Sequence, residues 1–139
     1  MKNKTRVSLF VAGGVSAFFT VIHGLMFYSL LSNQNLISPD PMMIRALLQT
    51  FNSVTLLMVA AMAYFSFRYP DELVRTSIGK SLLVVFGIFY LIRIASEFAF
   101  VGYSGVGSLV IITLCLLPAL CYLAAAISPS QRIEAVQPM

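Results

Sequence analysis

The chain has no tryptophan, a single histidine and two cysteines, and only 10% of its 139 residues are charged. Each shortage removes a class of protein. Soluble domains carry about a quarter of their residues as Asp, Glu, Lys and Arg; a chain that is 59% hydrophobic with mean hydropathy +0.90 is instead a membrane protein. With His23 as the lone histidine there is no HExxH, no Ser-His-Asp order and no second ligand for bis-histidine haem, and CxxCH is missing too. No metal and no cofactor are therefore expected, and an enzyme is the weakest of the readings, resting on His23 and Glu97 as acid and base without a nucleophile. Cys115 and Cys121 fall on one span about 240° apart around the helix, where they cannot bond to each other. Basic residues are too scattered for a nucleic-acid surface, and no segment has the alternating pattern of a membrane barrel.

What the chain does have is four long apolar runs, near Val7 to Leu31, Met43 to Phe67, Leu82 to Val101 and Leu109 to Ile127. Each reaches the roughly 20 residues that a helix needs to cross hydrocarbon. The fold expected is all-α: one integral membrane domain over residues 1–139, a four-transmembrane-helix up-down bundle with helices at about 7–32, 42–68, 71–102 and 107–128. The first run is too long for a cleavable signal core and is expected to stay. Lys2, Lys4 and Arg6 precede the first span, Arg68, Arg75 and Lys80 lie around the second connection, and Arg132 follows the last span, whereas the other two connections have no Lys or Arg outside the spans. That asymmetry puts both termini in the cytoplasm of a cell membrane, taken as a bacterial inner membrane, and accounts for the pI near 9.3. Asn3-Lys4-Thr5 matches a glycosylation sequon on the wrong side for use.

Turn chemistry agrees. Asp40 before Pro41 and the PDE run from Pro70 are helix starts, and GYSGVGS from Gly102 is a turn with no strand before it to make a phosphate loop. Pro118 is expected to kink the fourth helix. Tyr28, Tyr69 and Tyr103 fall near the expected membrane interfaces. Gly13, Ala17, Thr20 and Gly24 form a small-residue stripe on the first helix, for internal packing or for a membrane-protein partner or homo-oligomer.

The polar residues inside the spans are the candidate site. Counted at 1.5 Å per residue from the outer ends, His23, Asn52 and Arg93 lie roughly 12 to 14 Å down, Gln49 and Glu97 roughly 7 to 10 Å, and Arg45 roughly 4 Å. Arg45, Gln49 and Asn52 share one helix face; so do Tyr90, Arg93 and Glu97, and Ser16, Thr20, His23 and Phe27. Such groups rarely face lipid, so the three stripes are expected to turn inward and meet. Two charges near the middle of a span cost roughly 5 to 7 kcal/mol, about what the apolar neighbours return. Arg before Glu is also the weaker order for an i,i+4 pair, so partners or a ligand must compensate. Either the residues form a buried network that fixes helix register, or they line a pocket for a lipid or quinone-like head. The short connections favour a non-catalytic accessory or interaction subunit; the alternative is a lipid- or quinone-type amphiphile-binding protein or small carrier using Arg93, Glu97, His23, Asn52, Gln49, Arg45 and Tyr90. The two differ in one observable. A binding protein needs a cavity between the stripes, and an accessory protein has them filled.

Overall fold

The structure, a computed structural model, describes residues 3–32, 41–101 and 105–128, all helical apart from short connections and without a strand among them. Helix α1 is Asn3–Ser32, α2 Pro41–Arg68, α3 Pro70–Arg75, α4 Ser77–Ser96 continued by a π-helical turn Glu97–Val101, and α5 Val106–Ala126. Four helices are long and apolar enough to cross a membrane, over Lys4–Ser32, Ala46–Arg68, Ser77–Ala99 and Val106–Ala126. Prolines open α2 and α3, where the missing N–H costs nothing because those first-turn donors have no intrahelical partner. Gly105, at φ +79°, leads into α5, which runs on through Pro118. Asp40, Tyr103, Arg132 and the start of the GYSGVGS turn lie outside the described residues.

The third expected helix, 71–102, is not one element. Thr76 is extended (φ −92°, ψ 151°), its N–H bonds the Glu72 carbonyl, and its hydroxyl oxygen accepts the Gly79 N–H at 2.9 Å. Thr76 thus ends α3 and caps α4, satisfying a donor that a new helix leaves open. The two segments then fold tightly together. A Cβ on Gly79 would lie 2.5 Å from the Glu72 carbonyl oxygen and the Leu73 Cα, so only glycine fits there. At the other end the Glu97 N–H is shared between the carbonyls of Arg93 and Ile94, and the helix widens into the π turn.

Side-chain contacts show how the long helices run. Phe10 stacks on Phe67 with ring centroids 5.9 Å apart while His23 reaches Asn52, so α1 and α2 are antiparallel. Phe86 meets Tyr122 and Glu97 meets Ser108, which makes α4 and α5 antiparallel as well. Helix α1 also packs on α5, and α3 touches all four long helices at one end, but α2 and α4 make almost no direct contact along their length. The Thr5 and Ser128 hydroxyls are 3.4 Å apart, and Lys80 Nζ donates to the Ser128 carbonyl at 2.8 Å. The start of α1, the start of α4 and the end of α5 therefore meet at one end of the molecule. Arg68, stacked over Tyr69 at 5.4 Å, lies at that end too.

The interior is small and partly polar, while large apolar side chains point outward. Leu9, Ala12, Met62, Leu83, Phe86, Ala119 and Tyr122 are buried, whereas Leu57 is 74% exposed and Leu25 66%. A surface of this kind suits lipid rather than water. Gly13 lets α1 and α2 approach: a Cβ there would come within 2.8 Å of the Ser66 Cβ. Its end of the small-residue stripe is thus used inside the molecule. Gly24, at the other end, has open space around it.

Candidate functional site

His23 on α1 and Asn52 on α2 are joined twice. His23 Nδ1 lies 2.7 Å from Asn52 Oδ1, and Asn52 Nδ2 donates to the His23 carbonyl at 3.0 Å. Only an N–H can face that carbonyl, so the amide orientation is fixed and its oxygen must accept from Nδ1–H. Their similar depth, reckoned from the sequence, is what this contact requires.

Arg93 and Glu97 form the second pair. Arg93 Nη1 donates to Glu97 Oε2 at 2.9 Å, and the Ser108 hydroxyl of α5 donates to Oε1 at 2.9 Å. The carboxylate is enclosed, with 3% of its side chain exposed, but the arginine side chain is 42% exposed. The ion pair is therefore lopsided: the acid is tied into the α4–α5 contact with both oxygens engaged, and the guanidinium keeps N–H groups to spare. Ser108 was not among the residues singled out from sequence, although a hydroxyl at the start of α5 lies near the shallow level expected for Glu97.

The three stripes do not converge on one centre. The α1 stripe meets α2 at His23 and Asn52 and meets α4 at Ser16 and Tyr90, whereas Arg93 and Glu97 bond to each other and to Ser108 of α5, and a groove of about 440 Å³ separates Arg93 from His23. His23 and Phe19 line it from α1, Phe51 from α2, Tyr90 and Arg93 from α4, and Cys115 from α5. It falls where α2 and α4 fail to pack, and its outer edge carries Phe51, 64% exposed, and Ile92, 61% exposed. Gln49 is not among the lining residues; its side-chain amide is enclosed and has no hydrogen-bond partner among the described residues. Arg45 lies in the first turns of α2, and its side chain is outside the described residues.

Deeper in the interior is a second polar cluster, legible only in part from sequence. Ser16 Oγ lies 2.8 Å from the Tyr90 hydroxyl and 3.1 Å from that of Tyr122, and Tyr122 is 3.0 Å from Ser66 Oγ. Ser16 also donates to its own helix at Ala12 O, 2.9 Å away. With that donation made, Ser16 accepts from both tyrosines and Tyr122 accepts from Ser66, so each hydroxyl proton has a place. All four residues are buried, and each comes from a different long helix. Tyr90 joins the two regions, its hydroxyl in this cluster and its ring in the groove wall.

No group of three His, Cys, Asp or Glu that could hold a metal exists among the described residues. No protein-family model, curated protein or solved structure matches the chain, so the site stands on its own geometry.

Proposed function

We propose that this chain is a multi-pass protein of the bacterial inner membrane, an up-down four-helix bundle with both termini cytoplasmic, that binds the head of a membrane amphiphile, a lipid or a quinone-like molecule, in the groove between α2 and α4. The orientation is supported by Arg6, Arg68 and Lys80, which lie at the same end as Thr5 and Ser128. The binding role is supported above all by the hollow left between Arg93 and His23, since a network serving only helix register would be filled. Arg93 supplies donors, His23 a polar edge held by Asn52, and Phe19, Phe51 and Tyr90 an apolar bed. Glu97 and Ser108 hold Arg93 in place.

A second reading, a non-catalytic accessory subunit, is favoured by the apolar outward faces and by the open space beside Gly24, where a neighbouring helix or a second copy would fit along Thr20 and Gly24.

The test is thermal unfolding of the full chain in mild detergent with and without total lipid extract. Lipid is expected to raise the midpoint for the wild type and to do so far less for Arg93→Gln; an equal response in both would remove the groove from consideration and leave the accessory reading. A reporter fused after Ser130 is expected to signal from the cytoplasm, and a periplasmic signal would overturn the orientation.

A further inference from the structure

The hydrogen-bond polarity of the groove restricts its ligand further, on the premise that the groove is the binding site. Because Asn52 Oδ1 must accept from His23 Nδ1–H, a neutral His23 carries its lone pair on Nε2, at the opposite edge of the ring. The residue bound to the ring is an amide rather than a carboxylate, and both oxygens of Glu97 are already engaged by Arg93 and Ser108. His23 Nε2 has no hydrogen-bond partner among the described residues, so His23 offers the groove an acceptor while Arg93 offers it donors.

The charge balance adds a second restriction. Arg93 and Glu97 cancel, so an anionic head would find no unpaired positive charge from that pair in a poorly solvated groove. Ring contacts add a third. Tyr90 packs against Phe19 and Phe89 with centroids 6.1 and 5.7 Å apart, tilted and edge-on, which is an arrangement that receives another flat ring.

We infer that the groove takes a neutral hydroxyaromatic lipid head of the quinol class, one oxygen of which accepts from Arg93 while a hydroxyl donates to His23 Nε2, and that it discriminates against the corresponding quinone. A quinone carbonyl sets lone pair against lone pair at Nε2, and the lost hydrogen bond amounts to about a tenfold difference in affinity. Asn52 is the positioning residue. It touches no ligand in this scheme, and it acts by fixing which ring nitrogen carries the proton.

The experiment places the full chain in phosphatidylcholine nanodiscs and measures binding of a decyl-benzoquinol, the matching decyl-benzoquinone and dioleoyl phosphatidylglycerol by equilibrium dialysis. Quinol is expected to bind about tenfold more tightly than quinone, and phosphatidylglycerol more weakly than quinol. Asn52→Leu releases the ring, and the quinol-to-quinone ratio is expected to fall toward one with binding retained. Asn52→Asp puts a carboxylate on Nδ1, favours the imidazolium with Nε2–H as a donor, and is expected to move the ratio in favour of quinone. Quinone binding as tightly as quinol to the wild type, with both lost in Arg93→Gln, overturns the polarity argument and leaves the groove as a site. Phosphatidylglycerol binding tightest overturns the neutral-head argument alone. Failure of all three probes to bind removes the groove reading, and this inference with it. The wild-type ratio decides the matter even where a variant fails to fold.

Discussion

The hydroxyl cluster around Ser16 and the groove beside it draw on the same four long helices, and Tyr90 belongs to both, yet one is closed and the other is not. In the cluster every hydroxyl proton has an acceptor, Ser16 giving its own to the Ala12 carbonyl, and Tyr90 turns its ring rather than its hydroxyl to the groove. In the groove an ion pair and a histidine–asparagine pair face each other across about 440 Å³ without bonding, and the arginine remains 42% exposed. Buried polarity in this protein therefore has two forms. The finished form ties helices together at modest cost, since neutral hydroxyls demand little solvation. The unfinished form holds charge where hydrocarbon penalises it, and leaves part of its bonding capacity for something else.

That contrast can be broken most forcefully at Gly13. Leucine there would push against Ser66 from a Cβ distance of 2.8 Å, separating α1 from α2 beside the hydroxyl cluster, with an expected cost of about 3 kcal/mol in reversible unfolding. Unchanged stability of Gly13→Leu would mean that this contact does not form. Next in size is Ser16→Ala, which takes from both tyrosine hydroxyls their common acceptor. Interhelical hydrogen bonds in membranes are worth about 0.6 kcal/mol on average and up to about 1.7, so the loss of two predicts about 2 kcal/mol, with Tyr122→Phe costing a comparable or smaller amount. The smallest effect is expected in the groove. Arg93→Lys keeps a positive charge beside Glu97 and gives up only the spare donors, so the unfolding midpoint should shift by less than about 1 kcal/mol equivalent while the added-lipid response weakens. Equal losses for Ser16→Ala and Arg93→Lys in the same detergent would erase the distinction between the two regions.

Much of this arrangement could be read before the structure, and the parts that could not have physical reasons. The four long helices follow from length and apolarity, because chain surrounded by hydrocarbon has few ways to satisfy its backbone. The partnership of His23 with Asn52 and of Arg93 with Glu97 follows from depth and helical spacing. The groove does not. It depends on α2 and α4 standing apart, which is a property of how four helices share an interior rather than of any one face. Ser66 and Tyr122 escaped notice because a single hydroxyl in an apolar run makes no stripe; only their positions opposite Ser16 give them meaning. The break at Thr76 left a trace, a capping residue three positions before Gly79, but it sat behind the stronger start signal of Pro70 and Asp71. Gln49 shares a face with Asn52 and still remains apart, since spacing on a helix says nothing of what the neighbouring helix presents.

The outer edge of the groove bears on selectivity in a way that its polar residues do not. Phe51 and Ile92 stand exposed on outward faces of α2 and α4, so a head seated against Arg93 and His23 leaves its tail free to pass between them and mix with the surrounding acyl chains. Nothing among the described residues then measures that tail. Homologous amphiphiles with the same head and different chain lengths compete on equal terms once dissolved in the bilayer, and their apparent ranking in water reflects partitioning into the membrane at about 0.8 kcal/mol per methylene rather than recognition by the protein.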